Sequence, residues 1–120
     1  MSSISITLEK FPSESILFDL DCTDNLATEE TITGTPTMSY FPVLTGGDAL
    51  TLGSPLVNTV PIYYEDGQIG KIGGVIQVRI SGGTPTNTTT PRLYSVLGTF
   101  TTNKGNTLVA RMKLSVLTNL

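Results

Sequence analysis

Hydrophobic and polar residues alternate with a period of two along most of this chain, which is the side-chain repeat of a β-strand. Isoleucine or leucine occupies every second position of residues 4–8, and the segment from Ile16 to Asp21 repeats the pattern. A Phe11-Pro12 pair separates the two segments. Each segment therefore predicts a strand with one apolar face and one polar face.

The middle of the chain predicts three further strands. Thr31 to Tyr40 is rich in β-branched and aromatic residues, but Pro36 within it cannot donate a hydrogen bond to a ladder. This strand should therefore lie at a sheet edge or contain a bulge. The elements predicted next are a turn at residues 44–48, a short strand at residues 49–52 and a strand at residues 56–64.

The C-terminal half gives the clearest alternation. A strand is predicted at Val75 to Ile80, followed by an exposed polar loop at Thr84 to Pro91, which prolines bracket. Apolar and polar residues then alternate along two segments, Arg92 to Thr102 and Leu108 to Val116, which lie on either side of Asn103-Lys104-Gly105-Asn106. This arrangement predicts a β-hairpin, with a glycine available for a positive φ.

Residues 25–30 are the one segment whose pattern suits a short helical turn. A chain of 120 residues has room for one domain, residues 1–120. Seven to nine short strands with frequent turns predict an all-β fold, an antiparallel β-sandwich of the immunoglobulin-like kind. A small barrel is the alternative, and no repeat of 20 to 50 residues suggests a solenoid or propeller.

The amino-acid composition argues against most kinds of catalytic site. The chain contains no histidine, which is the commonest general base and metal ligand. Its single cysteine, Cys22, has no basic neighbour in sequence to lower its pKa, and we interpret it as structural. Asp19 and Asp21 remain as a carboxylate pair, but we expect no enzyme, no catalytic residue and no cofactor.

Charge divides the chain into two parts. Ten acids and one base lie in residues 1–66, a balance of −9, and six bases without an acid follow from Lys71, a balance of +6. Either acidic and basic strands pair beside one another in the sheets, or they form opposite surfaces that are complementary between neighbouring copies. An acidic protein without tryptophan is not expected to bind nucleic acid.

Three short motifs have a plain structural interpretation. Asp19, Asp21 and Asp24 suggest calcium binding, but the glycine and closing glutamate of a calcium loop are absent, so no metal is expected. Gly70 to Gly74 lacks the order of a phosphate loop and is interpreted as a turn or bulge before Val75. Asn87-Thr88-Thr89 matches a glycosylation acceptor, which requires a secretory route.

Two further features concern location and contact. No basic region precedes an apolar stretch of secretory length, and no apolar run approaches the roughly 20 residues that cross a bilayer. We therefore expect no membrane partner and synthesis in a cytoplasm. Tyr63-Tyr64 is either an exposed contact pair or a cap on the core, and the sequence does not decide between them.

A family resemblance adds to this interpretation. Four features of the C-terminal half carry it, namely Gly82-Gly83-Thr84, the Leu93-Tyr94 strand, the Thr101 to Gly105 turn and the long final strand. Together they resemble the C-terminal part of small immunoglobulin-like domains in tailed-bacteriophage virion proteins. Phe18 to Asp21, followed by a Thr-Ile strand that ends at Thr33, is similar to the opening of those domains. The resemblance implies a structural part of a virion that carries no chemistry.

The expected function is that of a capsid decoration or cement protein, which binds and stabilises the assembled head shell. Its expected partners are copies of itself and the major capsid protein or another virion protein, in a virion assembled in the host cytoplasm. Residues 2–8 and 84–91 are the predicted contact regions. A tail, baseplate or fibre component is the alternative in the same class.

A carbohydrate or cell-surface binding module is the alternative of another class. It would use Tyr63, Tyr64 and Asn87 for stacking and hydrogen bonding. The absence of tryptophan, the largest ring for stacking on a sugar, counts against it.

Overall fold

The computed structural model describes the backbone of residues 4–42 and 49–118, and the side chains of residues 8–42 and 49–118. The described residues form ten strands in several small sheets, and their only helical element is a single 3-10 turn at Thr23–Asn25. The all-β prediction is confirmed, but the predicted strand count was too low. In chain order the strands are β1 (Ile4–Lys10), β2 (Ile16–Asp21), β3 (Ile32–Phe41), β4 (Leu50–Leu52), β5 (Leu56–Val57), β6 (Ile62–Tyr63), β7 (Ile69–Gly70), β8 (Val75–Gly82), β9 (Arg92–Thr102) and β10 (Thr107–Val116).

Four strands form the larger sheet, in the order β1-β10-β9-β3. At its centre β9 and β10 pair antiparallel along their full length. Their turn closes where the Gly105 N–H donates to the Thr102 carbonyl at 3.0 Å, and Gly105 has a φ of +81°. Glycine adopts this conformation without a Cβ penalty. The hairpin predicted from the sequence is confirmed.

Strand β1 runs parallel to β10, with Ile4 opposite Ala110 and Lys10 opposite Val116. This finding corrects the wholly antiparallel arrangement predicted from the sequence. A period of two tells which residues share a face, but it does not specify the direction in which a strand pairs. The parallel pair makes β1 one edge of the larger sheet.

Strand β3 forms the opposite edge of the larger sheet and pairs antiparallel with β9. The register shifts between Thr33 and Thr37, a segment that contains Pro36. Proline lacks the N–H that a regular ladder needs, so it is tolerated at an edge or a bulge. The sequence prediction for this strand is confirmed on both points.

Strand β8 is the centre of the second sheet, whose order is β2-β8-β4, and β5 pairs with β8 further along. Strands β6 and β7 form a separate two-stranded sheet. The prediction of a single strand at residues 56–64 was therefore wrong. The structure has two short strands there, β5 and β6, because the chain bends away from β8 after β5. Strand β7 is only two residues long, too short to give a periodic signal.

The predicted helical turn lies earlier than expected. It spans Thr23–Asn25 rather than residues 25–30, because the Asp21 carboxylate accepts a hydrogen bond from the Thr23 N–H at 2.9 Å and starts the turn directly after β2. The turn predicted at residues 44–48 lies outside the described residues.

Side chains from both large sheets pack into one apolar core. Its inward-facing residues alternate along the strands, as the sequence predicted, and burial of their apolar surface supplies the main stabilisation of such a fold. The completely buried members are Leu20, Cys22, Ile76, Val78, Ile80, Tyr94, Val96, Ala110, Met112, Leu114 and Val116.

Lys10 is also buried, although its side chain carries a charge. It is only 1% exposed, and burial lowers its pKa, while nearby Glu14 opposes that shift. Its ammonium group donates to the carbonyls of Phe11 at 2.8 Å, Pro12 at 3.4 Å and Gly82 at 2.6 Å. Since Gly82 ends β8, this group ties the edge of the larger sheet to the second sheet.

We expect Lys10→Met to lower the free energy of unfolding by about 1–3 kcal/mol, because three carbonyls lose a charged donor while the aliphatic stem is retained. Lys104→Met, in the exposed β9–β10 turn, is the matched control and should change stability by less than about 0.5 kcal/mol. Urea unfolding of both variants measures the difference. Equal effects would show that the ammonium group adds nothing to stability.

Candidate functional site

The three aspartates that suggested calcium binding do not form one group in the structure. Asp19 accepts a hydrogen bond from the Gln77 side-chain amide at 2.9 Å, and Asp21 accepts one from the Thr23 N–H at 2.9 Å. Asp24 is exposed on the 3-10 turn. In the described part of the chain, no three acidic, cysteine or histidine side chains are grouped so that they could hold a metal ion.

Cys22 is completely buried in the core. Its thiol faces the Leu20 carbonyl at 3.6 Å. Burial raises the pKa of Cys22 to about 12, and the charge of Asp21 contributes to the shift. Only the thiolate is a strong nucleophile, so this environment suits the structural role expected from the sequence.

Acidic and basic side chains do not stand directly opposite one another in the strand registers. Glu9 is opposite Ser115 in the β1–β10 pair, and Asp19 is opposite Gln77 in the β2–β8 pair. The bases with hydrogen bonds donate to main-chain carbonyls, for example Lys10 to Gly82, Lys71 to Ala27, Arg79 to Ser15 and Arg92 to Thr84. Direct cross-strand pairing therefore does not account for the division of charge along the chain.

The outward side of the larger sheet exposes three large apolar side chains. Leu93 is 57% exposed, Phe41 53% and Val109 51%. Three rows of outward residues cross β3, β9 and β10, and they are Phe41–Ser95–Lys113, Ser39–Leu97–Arg111 and Thr37–Thr99–Val109. We call these residues together with Leu93 the sheet face.

The sheet face carries positive charge among hydroxyl and apolar side chains. Arg111 and Lys113 are exposed on the central strand β10. Among the described residues, Glu9 on edge strand β1 is the one acid on this side of the sheet. Hydroxyl groups cost less to desolvate than charges, so most of this surface can be covered at small cost.

A second exposed apolar surface lies on the β6–β7 hairpin. Tyr63 is 74% exposed, and Ile69, its partner on the opposite strand, is 52% exposed. Val60, before β6, is 64% exposed. The turn between the strands carries the exposed acids Glu65 and Asp66. We call residues 60–70 the acidic hairpin.

Asn58 holds the base of the acidic hairpin. Its side-chain amide donates to the carbonyls of Val60 at 2.8 Å and Lys71 at 2.9 Å. Its side-chain oxygen accepts from the Val75 N–H at 3.0 Å. One buried side chain thus joins both ends of the hairpin to β8, which explains why the chain bends there.

The inner side of the acidic hairpin packs against the end of β2. A Cβ at Gly70 would lie 2.7 Å from a Val75 methyl and 3.1 Å from the Tyr64 hydroxyl, so only glycine fits this position. Burial raises the pKa of Tyr64, and the charge of Asp21 raises it further. The hydroxyl is buried without a well-aligned hydrogen-bond partner in the described structure.

The two neighbouring tyrosines therefore have different roles, which the sequence did not decide. Tyr63 is exposed, whereas the Tyr64 hydroxyl is turned inward and buried. Of the predicted Gly70–Gly74 turn, Gly70 ends β7, and the turn follows at Lys71–Gly74, where the Gly74 N–H donates to the Lys71 carbonyl at 2.9 Å.

The loop at residues 84–91 is exposed over most of its length, as the sequence predicted. The Asn87 side-chain oxygen accepts from the N–H groups of Thr89 at 2.9 Å and Thr90 at 2.8 Å. This local turn gives the loop a defined shape. Of the other predicted contact region, residues 2–8, the backbone from Ile4 lies in β1, while residues 2–3 and the side chains of residues 4–7 lie outside the described part.

The sheet face was not predicted from the sequence. Leu93, Leu97 and Val109 are the signal, because they place apolar side chains on the face that alternation assigns to solvent. Single apolar residues on a surface are common. Only the register of β9 and β10 shows that Leu97 and Val109 lie in adjacent rows of one face, which Leu93 extends towards the start of β9.

Glu30 fixes the β9–β10 turn beside the start of β3. Its carboxylate accepts hydrogen bonds from the Thr102 hydroxyl at 2.6 Å, the Asn106 amide at 2.7 Å and the Ala27 N–H at 3.0 Å. These bonds, with that of Thr102 the strongest influence, lower the pKa of Glu30 to about 2. The side chain is only 4% exposed.

Comparisons with protein-family models, with curated proteins and with solved structures found no match to this chain. Within the described residues, no helix has the length and apolar character needed to span a membrane.

The Glu30 contacts predict a specific dependence of stability on acid. The folded state favours the carboxylate, so its contribution is fully present above the ordinary pKa of 4.5 and is lost as the pH falls towards 2. Thermal unfolding across this range should show a smaller loss of stability for Glu30→Gln than for the unchanged protein. The exposed neighbour variant Glu29→Gln should keep the full loss, and identical profiles for all three proteins would contradict the assignment.

Proposed function

We propose that this chain is a structural protein of a bacteriophage virion, and that it acts as a capsid decoration or cement protein that binds and stabilises the assembled head shell. The observation that carries the proposal is the sheet face, a broad outward surface in which Phe41, Leu93 and Val109 are each more than half exposed. An exposed apolar surface among polar residues is typical of a protein contact site.

The strand order supports the immunoglobulin-like form that the family resemblance implies. In that fold one sheet contains strands C, F and G, and the other contains B, E and D. If β2, β3, β4, β8, β9 and β10 are lettered B to G in chain order, the sheet order β3-β9-β10 becomes C-F-G and the order β2-β8-β4 becomes B-E-D. The proposal therefore takes β2, β3, β4, β8, β9 and β10 as strands B to G.

Tyr94 gives a second, independent support for the immunoglobulin-like form. It is the third residue of β9 and is completely buried. Its hydroxyl accepts a hydrogen bond from the Thr84 N–H at 3.4 Å. A buried tyrosine near the start of strand F, bonded back to the preceding connection, is a hallmark of these sandwiches.

The proposed mechanism is adhesion without chemistry. Removing the exposed apolar groups of the sheet face from water favours binding, and the surrounding hydroxyl groups can exchange water for polar groups of a capsid protein. Arg111 and Lys113 orient the encounter, because charge acts more on association rate and specificity than on affinity.

The potentially reactive groups already have structural partners, which supports a non-enzymatic role. The Cys22 thiol is buried in the core. The carboxylates of Asp19, Asp21 and Glu30 accept hydrogen bonds from neighbouring amides or hydroxyls within the fold. A tail, baseplate or fibre component would use the same adhesive surface, so the two locations differ only in the virion protein that is bound.

The exposed ring of Tyr63 favours a carbohydrate-binding module as the second candidate. Aromatic faces stack on sugar rings, and Tyr63 is 74% exposed. Tyr64 is turned inward and does not extend this platform. Binding to a glycan array that Tyr63→Ala abolishes would favour this function over adhesion to a shell.

We expect Leu93→Asp to weaken binding to capsid shells of the encoding phage by about ten- to a hundredfold, because one buried leucine contact is lost and a charge is desolvated. Leu17→Asp is the matched control, since Leu17 is similarly exposed, at 49% against 57%, but lies on β2 in the other sheet. Co-sedimentation with purified shells measures both affinities. Equal binding by Leu93→Asp and the unchanged protein would contradict the use of the sheet face.

A further inference from the structure

We propose that the acidic hairpin of one copy docks on the sheet face of a second copy, which makes a head-to-tail contact. This inference rests on the proposed function, because it identifies the neighbouring copy as an occupant of the surface described above. The occupant is thus a second molecule of this same chain, recognised by opposite charge and exposed apolar side chains.

The positions of the two surfaces make the contact heterologous. The sheet face points outward from the larger sheet, whereas the acidic hairpin is anchored by Asn58 and Gly70 to β8 and the end of β2 in the second sheet. One molecule therefore carries both surfaces on different sheets. A contact between unlike surfaces leaves one of each free, so it generates a ring if the rotation closes or a row of copies if it does not.

The charges of the two surfaces are complementary. Arg111 and Lys113 project from the sheet face, and Glu65 and Asp66 project from the acidic hairpin. The Asp66 carboxylate accepts a hydrogen bond from the Gln68 N–H at 3.0 Å. Within the described structure these four side chains form no hydrogen bond with a group of opposite charge, which leaves their charges available to a neighbour.

Both surfaces also expose large apolar side chains. Tyr63 and Ile69 form one exposed cross-strand pair on the hairpin. Leu93, Val109 and Phe41 lie on the sheet face among small hydroxyl side chains. An aromatic anchor surrounded by a charged rim is the usual composition of a protein contact.

The small size of the acidic hairpin predicts a weak contact between the two copies. A contact made by about ten residues lies at the low end of interface areas, where complexes are weak and transient. Several such contacts around a ring, or along a shell that already holds each copy, act together through effective concentration. The contact should therefore be salt-sensitive in solution and stronger on a particle.

A charge exchange between the two surfaces tests this contact. The variant Arg111→Glu/Lys113→Glu makes both surfaces acidic, and Glu65→Lys/Asp66→Lys makes both basic. Each variant alone should self-associate at least about tenfold more weakly than the unchanged protein, because attraction becomes repulsion. An equal mixture of the two should associate again, since each face then meets a hairpin of opposite charge. Sedimentation velocity at low and high salt measures all four samples.

The matched control is Lys104→Glu, which reverses an exposed charge in the β9–β10 turn away from the sheet face. It should associate like the unchanged protein. A mixture that sediments no faster than its separate components, or a loss of association in Lys104→Glu equal to that in the face variant, would overturn the head-to-tail contact.

Shell binding separates this inference from the proposed function. If the charge exchange fails but Leu93→Asp still releases the protein from capsid shells, the sheet face binds the shell directly and the hairpin contact is wrong. If the mixture associates and neither variant nor the unchanged protein binds shells, the contact between copies stands and the decoration function is wrong.

Discussion

The two-residue alternation of apolar and polar side chains along β9 and β10 determines both the core and the sheet face. Their inward residues from Tyr94 to Phe100 and from Leu108 to Val116 are buried, and they supply much of the core. A register slip of one residue would turn Arg111 and Lys113 into the core and expose its apolar side chains. The composition of the sheet face is therefore fixed by the same pairing that builds the core.

Features that depend on local pattern could be predicted from the sequence. The β9–β10 hairpin and the shift near Pro36 follow from alternation and from proline chemistry. Features that depend on pairing between distant segments could not. Nothing in residues 4–10 indicates that β1 pairs in parallel with the last strand, and the two-residue strands β6 and β7 are too short to show a period.

The sheet face could not be predicted either, because it also depends on pairing between distant segments. Each of Leu93, Leu97 and Val109 is an ordinary exception to alternation, and only the β3–β9–β10 register places them on one face with Arg111. Charge was visible in the sequence as a division between two parts of the chain. The registers then show that acids and bases are not directly opposed across the strands, which is compatible with the contact between copies proposed above.

Both proposals require the sheet face to become covered when the protein assembles. Amine acetylation followed by mass spectrometry measures this covering, because Lys113 lies on the sheet face and Lys104 lies in the exposed β9–β10 turn outside it. We expect Lys113 to lose reactivity in the assembled protein, on shells or in low-salt oligomers, while Lys104 keeps it. Unchanged reactivity of Lys113 in the assembled protein would show that the sheet face stays open to solvent and that neither proposal is right.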